Sequence, residues 1–289
     1  SEIGGAMSVK ALKQWVRQTA AKTVWAYGPD KLVRQLKACG VVPGCTLIVH
    51  SSWLPFNGFQ GKPADVVRAL KEAVGPEGLL VMTSMPYHNM SSAQWLAKGK
   101  PMNVRRSPSM MGLISEVFRR SENVWRSLSV THPLLAWGRD AEAFIAGHEN
   151  AEKPFGAASP FARLLERDAL ILGFDAPFAS FTYTHFVEDQ LASTLPCALY
   201  EPDNRAGVVI DRNDRQIDCS VKVISAQANS LRRESRLVEH LENTGVLHVG
   251  KIGNTRLTWI RAADHSRESA RFVSTGGHFF DAPAATPNA

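Results

Sequence analysis

The chain has 289 residues, of which 44% are hydrophobic and 21% charged, with a formal net charge of +6. That balance excludes disorder as the main state, and no apolar run approaches the ~18–20 residues that would span a bilayer. Cys39, Cys45, Cys197 and Cys219 form no C-x-x-C pair and have no His at finger spacing, so reduced thiols in a cytoplasmic protein are expected, with no metal site.

Residues 1–6, ahead of Met7, read as an appended remnant, 7–280 as a single domain, and the Pro/Ala-rich 281–289 as a disordered tail. Residues 9–26 place Val9, Leu12, Trp15 or Val16, and Val24 at helical spacing, an amphipathic opening helix. A second helix starts at Pro29 and carries Leu32, Val33, Leu36 and Cys39 on one face, with Gly40 as its stop. After the Pro43-Gly44 turn, 46–50 (TLIVH) is a continuous apolar strand of the kind buried on both faces.

Residues 51–62 form a loop of small and turn residues, and Pro63 opens the next helix. Residues 79–83 (LLVMT) are another buried strand. This rhythm of helix, strand, loop, helix and strand predicts a layered α/β fold with helices covering a sheet. Residues 86–108 read as one long irregular loop, and such loops serve as lids or binding loops. Helices are predicted over 109–119 and 159–166, the latter with Ser159 as cap, a third buried strand over 169–173, and a helix over 184–191. Past Pro196 the alternating segments 208–210 and 216–224 give a β-rich C-terminal portion with one later helix, 232–242.

The basic residues are scattered and are not interleaved with aromatic ones as in a nucleic-acid module, so anionic small molecules are the expected partners, with no nucleic acid and no membrane. Arg105 and Arg106 sit in the long loop, where no acidic residue occurs between Pro86 and Ser115.

Several segments, in order, resemble one family. They are 49–52 (VHSS) with Gly58 and Gly61, then 69–82 (ALKEAVGPEGLLVM), then 107–109 (SPS) with Gly112 and 116–119 (EVFR). Arg126-Ser127, Thr131-His132, Gly156 with Ser159-Pro160, 170–173 (LILG), Thr182-x-x-His185-x-x-Glu188 and 249–253 (VGKIG) complete the series. Each piece is weak alone, but their order is that of the aminoglycoside 3-N-acetyltransferases, over roughly residues 30–272. The resemblance implies a three-layer α/β/α fold with a mixed sheet, acetyl-CoA as donor and direct transfer to an amine of a small acceptor, with room for a homodimer. Two departures stand out. The family pattern has two histidines shortly after Arg-Ser, of which His132 alone is kept, and Phe181-Thr182-Tyr183 replaces an Asn-Thr-Ser run. Both bear on the acceptor.

Acetyl transfer needs a neutral amine, hence a base that works near neutral pH, which suits histidine. His185 lies one helical turn before Glu188, so a carboxylate can hold one ring nitrogen and free the other. By spacing alone the pair reads first as a surface ion pair; the resemblance reverses that and makes His185 the catalytic base. His132 is either a second polar group at the site or a loop histidine capping backbone groups, and His50 reads as a packing residue more than a ligand contact. Thr182 is either a donor to the developing oxyanion or a helix cap. For coenzyme A, Ser51, Ser52 and Lys62 ahead of the Pro63 helix, with Thr83 and Ser84 at a strand end, are the expected contacts.

The expected function is N-acetylation of an amino sugar or related amine on an anionic nucleotide or phosphate carrier. True aminoglycoside 3-N-acetylation, as in antibiotic resistance, is the alternative, and a non-catalytic coenzyme A-binding protein a further one.

Overall fold

A computed structural model describes residues 8–283; the remnant expected at 1–6 and all but the first residues of the expected tail lie outside them. Seven strands form the central sheet: β1 (Thr46–Ser51), β2 (Leu79–Thr83), β4 (Trp125–Arg126), β5 (Leu134–Gly138), β6 (Leu170–Phe174), β9 (His248–Ile252) and β10 (Thr255–Arg261). Their order is β4-β5-β2-β1-β6-β10-β9. The inner strands β2, β1 and β6 are parallel, and the flanking pairs β2–β5, β5–β4, β6–β10 and β10–β9 are antiparallel. The sheet is therefore mixed, as expected, with its parallel part in the middle.

Side-chain alternation divides the core. Leu47 and Val49 of β1, with Leu80 and Met82 of β2, pack under helices α2 (Pro29–Ala38), α3 (Pro63–Val74) and α5 (Leu113–Arg119). Ile48, Leu79 and Val81 face the other way. There they meet α6 (Ala141–Ile145), α7 (Pro160–Glu166), α8 (Tyr183–Gln190), α10 (Glu234–Asn243) and α11 (Ala262–Ser274). Both faces are covered, which gives the three layers and explains why the inner strands read as unbroken apolar runs.

Five expectations change. The opening helix, α1 (Val9–Lys22), ends before residue 26 and buries none of its side chains; Val9 is 70% exposed, Leu12 47% and Trp15 57%. The long loop is interrupted by α4 (Ser92–Leu96) and by the two-residue β3 (Met102–Asn103). The helix expected from 109 starts at Leu113, because Gly112 holds a φ of 110°, which a helix cannot contain. The C-terminal portion divides: β7 (Arg205–Ile210) and β8 (Gln216–Val221) join β3 in a small separate sheet, whereas β9 and β10 complete the main one. Three helices stand there, where one over 232–242 was expected: α9 (Ala226–Leu231) precedes α10, which starts at Glu234, and α11 follows β10. Ser159 does precede α7, but its hydroxyl donates to the Gly156 carbonyl and caps no N–H.

Candidate active site

Parallel strands end on one side of the sheet, and that is where a cleft of about 720 Å³ opens. Its floor is made by His50 and Ser51 at the end of β1 and Thr83 at the end of β2. Ser52, Trp53 and Leu54 form one wall, and 110–113 before and at the start of α5 another. Gly112 is required here: a Cβ would come within 3.3 Å of the Ser51 carbonyl oxygen, on a backbone angle that side chains disfavour. A second, smaller cavity of about 300 Å³ is lined by Tyr87, Met90, Ser91, His132 and Asn229, among others. His185 lines both, together with Met85, His88 and Met111, so the imidazole stands where the two spaces meet.

His185 projects from the first turn of α8, and its Nδ1 lies 2.9 Å from Oε2 of Glu188 one turn later. Glu188 is 0% exposed, while the imidazole keeps 25% of its surface open. A buried carboxylate needs more than one partner, and the second comes from far away in sequence: Arg232 donates to both Glu188 oxygens, through Nε to Oε1 and through Nη2 to Oε2 at 2.8 Å. Burial works to raise the Glu188 carboxyl, but His185 and Arg232 outweigh it and hold its pKa below the ordinary value. The carboxylate thus stays charged, and where Nδ1–H donates to it the Nε2 lone pair of His185 is left free.

Phe155 sits between two imidazoles, with ring centroids 5.0 Å from His185 and 4.5 Å from His132. His132 is buried, its Nε2 lies 3.3 Å from the Tyr87 hydroxyl, and its Nδ1 has no partner among the described residues. Burial, reinforced by nearby His185, pushes its pKa well below the usual histidine value, so it is a neutral polar group. His50 is stacked on Phe181 at 5.2 Å, and burial pushes it down to about 3. Its Nε2 also has no partner among the described residues.

This arrangement has relatives. The family model described as aminoglycoside 3-N-acetyltransferase matches residues 48–273. The chain belongs to this family. The SPbeta prophage-derived aminoglycoside N(3')-acetyltransferase-like protein YokD of Bacillus subtilis (strain 168) is 27% identical over 60% of this chain and 69% of its own length. Aminoglycoside N(3)-acetyltransferase IV of Salmonella sp is 33% identical over 55% of this chain, which spans 57% of that relative. Among solved structures, the AAC-IIIb binary complex with CoASH superposes with a TM-score of 0.73 at 20% identity, covering 90% of this chain and 99% of that one. That likeness concerns the fold. The enzyme class expected from the sequence, an acyl-CoA-dependent N-acyltransferase, is that of the family.

Within this aminoglycoside 3-N-acetyltransferase-family site, the expected residues fall into groups. His185, Glu188 and His132 are gathered around Phe155 and the junction of the two cavities. Thr182 lines the larger cleft and begins α8 without a capping bond from its hydroxyl. Ser51, Ser52 and Thr83 line that cleft too. Ser84 is buried beneath it, its carbonyl accepting from Arg126, and Lys62 is exposed outside the lining. Sequence reasoning missed Arg232, Glu234 and the methionines. Glu234 opens α10 and lines the larger cleft; burial pushes its carboxyl up, against the pull of His185 and Arg232.

Proposed function

We propose that this chain transfers an acetyl group from acetyl-CoA directly to an amine of an aminoglycoside-type amino sugar, with His185 as general base. The observation that carries this reading is the position of His185 at the junction of two adjoining cavities, one large and open, one small. Direct transfer needs a base reachable from both substrates at once. The larger cleft, with apolar Trp53, Leu54 and Met110 beside Ser51 and Ser52, fits a pantetheine arm and its amides.

The bound donor supplies a thioester carbonyl as electrophile. His185 Nε2 takes a proton from the attacking amine, and the imidazolium that results is stabilised by Glu188, whose charge Arg232 keeps in place. Thr182, at the start of α8 and in the lining of the cleft, can offer its hydroxyl to the oxygen that gains charge. The departing thiolate then recovers a proton from His185.

The function expected first from the sequence, acetylation of an amine on a nucleotide or phosphate carrier, drew on Arg105 and Arg106, and the family match favours its aminoglycoside alternative instead. Both line a different cavity and pair with Asp214, so they supply no charge to this acceptor space. A second reading concerns acceptor charge. Glu234 is the one carboxylate among the described residues lining the two cavities, and Met85, Met90, Met110 and Met111 line one or both of them, a surface better matched to an amine of low positive charge than to a polycation. A panel of aminoglycosides, simple amino sugars and amino-sugar nucleotides, followed by thiol release from acetyl-CoA, tests both. Highest kcat/KM for polycationic aminoglycosides supports the first reading, and for singly charged amino sugars the second. No acetyl transfer to any amine, despite tight acetyl-CoA binding, would leave a binding protein on this fold.

A further inference from the structure

The basic loop has another destination. A cavity of about 650 Å³ lies between the C-terminal end of α5 and the turn of the β7–β8 hairpin. Arg105, Arg106, Arg119, Arg120, Arg126 and Arg212 line it, and no carboxylate does among the described residues. Six guanidiniums are brought together from the long loop, the end of α5, strand β4 and the hairpin turn.

Counter-charge is present but insufficient. Glu116 pairs with Arg119 and Arg120, and Asp214 with Arg105 and Arg106. Glu142 acts on Arg212 from further off. At least three positive charges therefore stay uncompensated. The carbonyl end of α5 contributes only about half an elementary negative charge, too little to change the sign.

Arg126 gives a second, independent sign. It is 3% exposed, and two of its nitrogens donate to the carbonyls of Ser107 and Ser84, yet its Nε is buried with no partner among the described residues. Burial and the neighbouring Arg119 both work against its charge. A cation left in such surroundings is what an arriving anion relieves.

We infer that this cavity binds a multiply charged phosphate-bearing small molecule. Guanidinium forks match phosphate oxygens in pairs, and the uncompensated charge suits pyrophosphate or a nucleotide better than a single carboxylate. The cavity also has the volume for a ligand of that size. Helix α5 joins it to the acyl-transfer cleft, with Leu113 at one and Arg119 at the other, about 9 Å apart along the axis. The phosphate therefore comes either from a separate ligand or from the nucleotide end of coenzyme A. The inference does not depend on the acyl-transfer reading.

The test is calorimetric titration of the full chain with inorganic pyrophosphate. Arg106 and Arg120 have side chains 74% exposed, so Arg106→Gln with Arg120→Gln leaves the fold intact, which an unchanged Tm verifies. Sub-millimolar binding that weakens with added salt, and is lost at least tenfold in the double variant, is the expected result. Repeating the titration with coenzyme A and with dephospho-coenzyme A present separates the sources. Pyrophosphate binding that survives both identifies a separate ligand, and displacement by coenzyme A alone identifies its 3′-phosphate. No pyrophosphate binding, or binding equally tight in the double variant, overturns the inference.

Discussion

Replacing His185 with Ala removes the imidazole at the cavity junction while leaving Glu188 in the grip of Arg232. A general base contributes roughly 10²–10⁴-fold, so kcat should fall by that factor, a barrier increase of about 2.7–5.5 kcal/mol. The stability cost is set by a different part of the structure. Glu188, at 0% exposure, keeps both hydrogen bonds from Arg232, so no buried charge is orphaned. Losing one hydrogen bond from a partly open imidazole amounts to about 1–2 kcal/mol. Glu188→Gln should show the opposite balance. It leaves Arg232 largely buried without its counter-charge, and breaking such a pair from one side costs about 3–5 kcal/mol. Its kcat should fall less, because the imidazole remains. Steady-state thiol release gives kcat, calorimetry gives acetyl-CoA affinity (unchanged in His185→Ala), and urea unfolding gives stability. A His185→Ala enzyme retaining more than about a tenth of kcat would refute the assignment of the base. A Glu188→Gln protein as stable as wild type would refute the account of the buried pair.

Acid should weaken the fold before most carboxylates titrate. His148 and His265 are buried, and burial lowers each to about 4. Above the ordinary histidine value near 6.5 their contribution is complete; as pH falls from there toward 4 the unfolded chain takes up protons that the native chain refuses. Stability should drop by up to about 1.4 kcal/mol per pH unit for each, and an unfolding midpoint that stays flat from pH 6.5 to 5 would contradict this. Gly112→Ala forces a side chain onto a φ of 110° beside the Ser51 carbonyl. We expect a loss of about 1–3 kcal/mol and a raised KM for acetyl-CoA, both absent if the loop before α5 simply shifts. Trimming the chain through Gln18 should leave Tm within about 2 °C, because α1 buries nothing.

The parts legible in the sequence are those whose signal is local. Strands β1, β2 and β6 read as apolar runs because they are buried on both faces, and α2 and α3 announce themselves by Pro29 and Pro63 at their starts. Helix α11 was not legible, because the face it buries is polar: His265 is held by Thr184 and Ser269, with Glu268 nearby. Strand β5 is five residues after Pro133, too short to establish a period. At the site, the i,i+3 pair His185 and Glu188 could be seen, and the family pattern decided its meaning. Arg232 could not, since it lies 44 residues from Glu188 and no local spacing connects them. The long loop misled, because its arginines face away from His185.

The edges of the main sheet carry a consequence for how copies of this chain can meet. One edge is β4, two residues long, and the other is β9, where Lys251 is exposed and Gly250 lies under the Trp259 ring. A two-residue edge offers almost no ladder to extend, and a lysine on the opposite edge opposes close pairing with a second strand. Continuing the main sheet from molecule to molecule is therefore disfavoured on both sides, which protects that sheet against edge-to-edge aggregation. For the main sheet, contact between copies is left to side-chain faces, and the apolar stripe of α1 is the most exposed of these among the described helices.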